Sequence, residues 1–215
     1  MEANSHSHNS FLTLTYNDEN LPKNGTLDPD DTRKFLYKYR NNLKKAGYGK
    51  IRYYLVGEYG DKSERPHYHA AIFGVSCTGP EPRYYSGKKC QCEVCQITNE
   101  TWGKGYIGIG TLENDSASYI AGYIQKTVKV EGQPIMGLTN KKDPLVQKWL
   151  KDRHPEYTRM SRKPGIGGDS IENVVKALNS RYGSQYMHDN GDVPFTLSYG
   201  DQNFAIGRID RDWET

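Results

Sequence analysis

Apolar and polar positions alternate along Ser10–Tyr16 (SFLTLTY), and Asn17-Asp18 closes the run, which predicts a strand with one buried face. Asp28-Pro29 then supplies a helix cap and a first-turn proline. Phe35, Leu36, Tyr39 and Leu43 recur at helical spacing among Lys34, Lys38, Arg40, Lys44 and Lys45, and Gly47 ends the run. This predicts an amphipathic helix packed on a sheet, with its lysines left in water. Ile51–Glu58 (IRYYLVGE) and His67–Val75 (HYHAAIFGV) read as two strands joined by a turn over Tyr59–Pro66, and Tyr106–Leu112 (YIGIGTL) as a further strand. Asp115 or Ser116 is expected to cap a helix running to about Lys129, with Ala117, Ile120, Ala121, Ile124 and Val128 as its buried stripe. Strand, helix, strand, strand, strand, helix in that order predicts an α+β fold around a central antiparallel sheet flanked by helices.

Beyond Val130 the texture changes. Asp143–Lys151 and Ser170–Leu178 read as helices on either side of the Gly/Pro-rich Lys163–Gly168, and the last residues carry weak strand signals. The expected organisation is a flexible tail over 1–9, a core over 10–130 with a cysteine-rich insertion at 76–101, and a C-terminal helical extension over 131–215 packed on that core.

Composition adds limits. A chain of 215 residues with 35% hydrophobic residues and 22 glycines is not disordered throughout. Its mean hydropathy of −0.86 predicts no membrane span. Met1–Ser10 shows no basic-then-apolar stretch, so no secretory leader is expected. A net charge of +3 does not by itself call for nucleic acid. The 17 tyrosines are a diffuse hint of stacking surfaces for single strands.

Spacing carries the chemistry. In a strand, His67 and His69 project to one side while Tyr68 joins Ala70, Ile72, Tyr53 and Leu55 on the core side. Arg52, Tyr54, Val56 and Glu58 fall on the histidine side, with Glu58 beside His67. Two imidazoles and a carboxylate make a site for a divalent ion, although an isolated H-x-H is as readily a pair of strand histidines without a ligand. His6-Ser7-His8, in a polar segment without a strand pattern, is read as unrelated. On a helix, Tyr119 and Tyr123 of YIAGYIQK are neighbours at i and i+4, with Lys126 beyond them. A phenol with a pKa near 10 is a poor nucleophile at neutral pH. Attack on a phosphodiester therefore needs a metal to polarise the phosphoryl oxygen, and a lysine can help neutralise the charge.

Phe11–Tyr16 (FLTLTY), Glu58 with Arg65-Pro66-His67-Tyr68-His69-Ala70, and Tyr119–Lys126 follow one another in the order of the three motifs of HUH endonucleases. More narrowly, the chain resembles the replication initiation proteins of gokushoviruses and related microviruses. Val56–Gly60, Trp102–Gly105 and Ser161–Gly167 support the likeness, which covers roughly Ser10 to Gly168. The resemblance implies an HUH or RRM-like palm and rolling-circle replication. It implies nicking of single-stranded DNA at a replication origin through a covalent 5′-phosphotyrosine that leaves a free 3′-hydroxyl. Carried onto this chain, it assigns Mg²⁺ or Mn²⁺ to His67, His69 and Glu58, the first attack to Tyr123 and the second to Tyr119, with Lys126 assisting. It also implies host replication machinery as partner, no membrane, and the cytoplasm of a bacterial host. A relaxase or single-strand transposase would use the same parts. A non-catalytic, zinc-stapled binding module is the alternative outside enzymes.

Cys77, Cys90, Cys92 and Cys95 are the four cysteines of the chain. Without a leader, a reducing compartment is expected, and four thiolates then suit a structural Zn²⁺. Arg162 and Lys163, beside Gly165, Gly167 and Gly168, are candidate phosphate contacts, and Tyr54 is a candidate stacking ring on the metal face.

Overall fold

The computed structural model describes residues 2–60, 63–79, 90–122, 128–130, 133–135, 151–168, 171–191, 196–199 and 202–205. Two compact units emerge: His6–Lys163, and Met1–Ser5 together with Pro164–Thr215. The first holds a five-stranded sheet of β1 (Asn9–Thr15), β2 (Arg52–Tyr59), β3 (Pro66–Phe73), β4 (Ile107–Thr111) and a strand at Tyr157–Met160, in the order β4-β1-β3-β2 with Tyr157–Met160 at the edge. Every neighbouring pair is antiparallel, so the expected α+β class with a central antiparallel sheet is what the chain adopts.

Helix α1 (Pro29–Lys45) starts where the sequence predicts: Asp28 Oδ1 accepts from the amides of Asp30 (2.8 Å) and Asp31 (3.3 Å), and Pro29 fills the first turn. Its stripe of Phe35, Leu36, Tyr39 and Leu43 is buried on one sheet face against Leu12, Leu14, Leu55 and Ile72. Each such side chain contributes about 1.5–3 kcal/mol of burial, which offsets the cost of ordering the helix. Lys34, Lys38 and Lys45 are exposed, as expected.

Helix α2 (Glu93–Trp102) is not foreseen from sequence. It lies in the cysteine-rich insertion and packs beside α1, with Thr98 Oγ1 donating to Tyr39 Oη (3.1 Å) and the Trp102 ring edge-on to Phe35. Helix α3 (Asn114–Gly122) corrects its prediction in three ways. Asp115 and Ser116 sit in the first turn rather than at the cap; Ser116 Oγ reaches back to accept from the Glu113 amide (2.8 Å). Ala117 and Ala121 are exposed and Ile120 is buried, because alanine carries too little apolar area to dictate a buried face. Val128–Val130 (β5) is not helical; it pairs with Gln133–Ile135 (β6). Residues 123–127 and the greater part of the helix expected at 143–151 lie outside the described residues. The Tyr157–Met160 strand (β7), unforeseen because it has only four residues, extends the sheet past the boundary expected at 130.

In the second unit, α4 (Ile171–Leu178) matches the expected helix, and α5 (Arg181–Asn190) and the hairpin β8 (Thr196–Tyr199) with β9 (Gln202–Ala205) follow. Glu2–Ser5 forms a 3-10 turn rather than a loose tail, with Glu2 buried and accepting from the Gly167 amide (2.6 Å). Among the described residues, no helix is long and apolar enough to cross a membrane.

Tyr68 ties the core to the histidine strand. Fully buried, it accepts from the Asp28 amide (2.9 Å) at the α1 cap and shares a hydrogen bond with Tyr16 Oη (2.9 Å), which donates to Asp31 (2.9 Å). Burial pushes the Tyr68 phenol above its ordinary pKa of 10.0. Tyr68→Phe leaves a buried amide and a buried hydroxyl without this partner, so urea denaturation is expected to show a loss of about 1–3 kcal/mol.

Candidate functional site

The register of the sheet assembles the site. Glu58 lies opposite His67, Val56 opposite His69, and on the other flank Thr15 and Thr13 lie opposite the same two histidines. Opposed residues share a face, so Glu58, His67, His69 and Thr13 project together, away from Tyr68 and the α1 side. Glu58 Oε1 stands 2.7 Å from His67 Nε2 and 3.0 Å from His69 Nε2. The carboxylate is 1% exposed, and the imidazoles 20% and 12%.

The outer nitrogens fix the rings. His67 Nδ1 faces the Arg65 carbonyl (3.1 Å) and His69 Nδ1 faces Thr13 Oγ1 (2.9 Å). An Nδ1–H donated to each acceptor directs both Nε2 atoms at Glu58. His67 then has an acceptor on each side, which demands a proton on both nitrogens unless a cation lies between the rings and the carboxylate. The three donor atoms lie within 4.8 Å of one another, a set of two nitrogens and one oxygen that fits a divalent cation. Burial pushes the Glu58 carboxyl up, but hydrogen bonds and charge from the two histidines outweigh it, so the group titrates below its ordinary 4.5.

Two rings border the cluster. Phe11 packs 5.2 Å from His69, and Tyr119 on α3 meets His69 edge-on at 5.5 Å while remaining 48% exposed. Tyr119 is thus brought to the site; Tyr123 and Lys126 lie outside the described residues. Arg162 and Lys163 are exposed beyond the end of β7, six residues past the position opposite Glu58, or about 20 Å of strand. Tyr54 shares the metal face but is half-buried opposite Ala71 and Met160, about 13 Å along β2 from Glu58. None of these three is brought to the triad. His6 stacks on Phe73 at the far end of the strand, apart from the cluster. Thr13 is the residue sequence reading missed; its parity was visible in the alternation of β1, but not the register that sets it against His69.

The cysteines form a second centre. Cys77 Sγ lies 3.4 Å from Cys90, 3.6 Å from Cys92 and 3.5 Å from Cys95, and all four sulfurs lie within 4.8 Å of one another. Cys92 stands at the α2 N-cap. Burial pushes its thiol up, but the amides of Cys95 and Thr78 and the neighbouring thiols pull it down to about 6. Burial and sulfur neighbours push Cys95 upward. Both groups can hold a metal ion: the first offers nitrogen and oxygen, the second sulfur alone.

Residues 9–128 match the family model of the replication-associated protein ORF2. The chain is 34% identical over 216 residues to replication-associated protein ORF2 of Spiroplasma virus 4, covering 96% of this chain and 59% of that protein. It is 33% identical over 158 residues to replication-associated protein VP4 of Bdellovibrio phage phiMH2K, covering 69% and 50%. With replication-associated protein ORF4 of Chlamydia phage 1 it shares 36% identity over 130 residues, 59% of this chain and 32% of the relative. The chain thus spans between about a third and three fifths of the length of these relatives.

Proposed function

The chain belongs to the family of the replication-associated protein ORF2, and on that premise we propose that it initiates rolling-circle replication by nicking and rejoining single-stranded DNA. The observation that carries this reading is the convergence of Glu58 Oε1 with the Nε2 atoms of His67 and His69, beside the phenol-bearing Tyr119. Glu58, His67 and His69 would hold Mg²⁺ or Mn²⁺, whose chemistry there is to polarise a phosphoryl oxygen. Thr13 and the Arg65 carbonyl keep the two imidazoles in the tautomer that presents Nε2. Tyr123 makes the first attack: its phenolic oxygen bonds to phosphorus, the bond to the 3′-oxygen breaks, and that oxygen takes up a proton. Lys126 offsets the charge of the phosphate. Tyr119 then acts on the regenerated origin, and the free 3′-hydroxyl displaces the first tyrosine to close a circle. Cys77, Cys90, Cys92 and Cys95 hold Zn²⁺, which staples the insertion and takes no part in the chemistry. The substrate is a single-stranded origin in the cytoplasm of a bacterial host, where host replication machinery extends the 3′ end.

The test is incubation with labelled single-stranded DNA and Mn²⁺, followed by denaturing electrophoresis. A covalent species that forms with Mn²⁺, disappears with chelator, and maps by peptide mass to Tyr123 is the expected result. Mapping to Tyr119 reverses the order of attack. Reversible binding with no covalent species refutes the nuclease.

A further inference from the structure

We propose that the cleft beside the Glu58–His67–His69 cluster holds an unpaired nucleobase stacked on Tyr106, within about three nucleotides of the phosphate at the cluster. Ile107 lies opposite Leu14, and one step further along β1 Thr15 donates both its amide (2.9 Å) and its hydroxyl (3.2 Å) to the Tyr106 carbonyl. Thr15 lies opposite His67, and His67 opposite Glu58. Leu14 and Ile107 are buried on the core face, so Tyr106, Thr15, His67 and Glu58 form one row on the other face. Two strand spacings set Tyr106 about 10 Å from His67, about three base rises of 3.4 Å.

Tyr106 is 68% exposed, yet its backbone is fixed. Besides the two bonds from Thr15, the Asn17 amide donates to the Lys104 carbonyl (3.0 Å) and Trp102 Nε1 donates to the Thr15 carbonyl (2.8 Å). A Cβ at Gly105 would collide with the Thr15 carbonyl and the Asn17 amide, so Gly105 permits this close approach. A rigidly mounted ring loses little freedom when a base lies on it. The ring lines a cleft of about 870 Å³ together with His67 and His69, large enough for more than one base. The other β4 positions on this face are Gly108, opposite Thr13, and Gly110, opposite Phe11. Glycine in a strand marks places where another group comes close to the backbone, and here it leaves the floor beside Tyr106 at backbone height. On the other wall, Arg65 is held by Asp18 Oδ1 (2.8 Å) and the Tyr16 carbonyl (3.1 Å), which neutralises Asp18 and keeps a guanidinium in the cleft.

The subsite rests on the single-strand reading above, and its test separates the two. Binding of a short fluorescein-labelled single strand is measured by anisotropy in EDTA, where no chemistry occurs. Tyr106→Ala is expected to weaken binding by about tenfold with an unchanged salt slope, because a stacking ring and no charge is lost. Tyr106→Phe should bind like the parent, as should Tyr37→Ala, which removes another exposed tyrosine on the α1 side. Unchanged affinity in Tyr106→Ala overturns the subsite, and if the parent still forms its covalent species the nuclease stands without it. A tenfold loss in Tyr106→Ala, with no covalent species from the parent, supports the subsite and overturns the nuclease. A parent that binds no single strand overturns both. A deoxynucleoside monophosphate that competes as well as the oligonucleotide overturns the strand in favour of a free nucleotide.

Discussion

Glu58→Gln is expected to lower metal-dependent cleavage of single-stranded DNA by about a thousandfold while the protein stays folded. The substitution keeps the shape of a side chain that is 1% exposed and removes only the charge. His67 and His69 are anchored through Nδ1 by the Arg65 carbonyl and Thr13, so the rings should keep their positions and both Nε2 atoms should remain available. What the variant lacks is the anionic oxygen between them. A second measurement isolates this loss from activity. At a Mn²⁺ concentration a hundredfold above its Kd, the parent gains about 2.7 kcal/mol of stability by linkage, and the variant should show no such rise in Tm. Near-parental cleavage together with a retained Mn²⁺-induced shift would remove Glu58 from the ligand set.

The same carboxyl gives the metal-free protein an acid-side signature. Its folded pKa lies below the ordinary 4.5, because the histidine contacts outweigh burial. The stability it contributes is therefore fully present above that value and lost as the pH falls through the depressed one. Glu58→Gln should flatten that limb of the acid denaturation curve.

The strand parity that sorts His67 and His69 from Tyr68 was legible because a side-chain period of two admits no other solution once one face is apolar. The α1 boundaries were legible because Asp28, Pro29 and Gly47 act locally. Register was not legible: nothing in FLTLTY says that Thr13 rather than Thr15 meets His69, since pairing is decided by long-range fit. Helix α2 was hidden because its buried positions, Val94, Cys95, Thr98 and Trp102, mix a thiol and a hydroxyl into the apolar period. The α3 stripe failed for the opposite reason, since alanines satisfied a pattern without the area to enforce it.

The other large effect is expected at the sulfur centre. The parent, purified without chelator, should carry one equivalent of Zn²⁺, and Cys92→Ser should lose it together with about 3 kcal/mol of stability, or about 6–12 °C in Tm. The magnitude follows from topology rather than from the strength of zinc–sulfur bonds. Cys77 and Cys90 are 13 residues apart, and joining them through a metal restricts the unfolded chain much as a cross-link closing a loop of about 15 residues does. The gain is smaller than the roughly 10–16 kcal/mol seen where zinc alone folds a domain, because the sheet and α1 already supply a core. What the metal adds is the placement of α2, whose first turn begins at Cys92 and whose Trp102 packs against Phe35, Tyr16 and Tyr68. The folded state prepares for it: the Cys92 thiol, drawn down to about 6, is ionised at neutral pH and offers the first ligand without a proton to displace. Six strand residues, about 20 Å, separate His67 from Phe73, and Cys77 lies further still along the chain. Mn²⁺ binding at Glu58, His67 and His69 should therefore survive in Cys92→Ser at temperatures where the variant is folded. A parent without zinc would refute the metal, and a Cys92→Ser variant with parental Tm would refute its role as a staple.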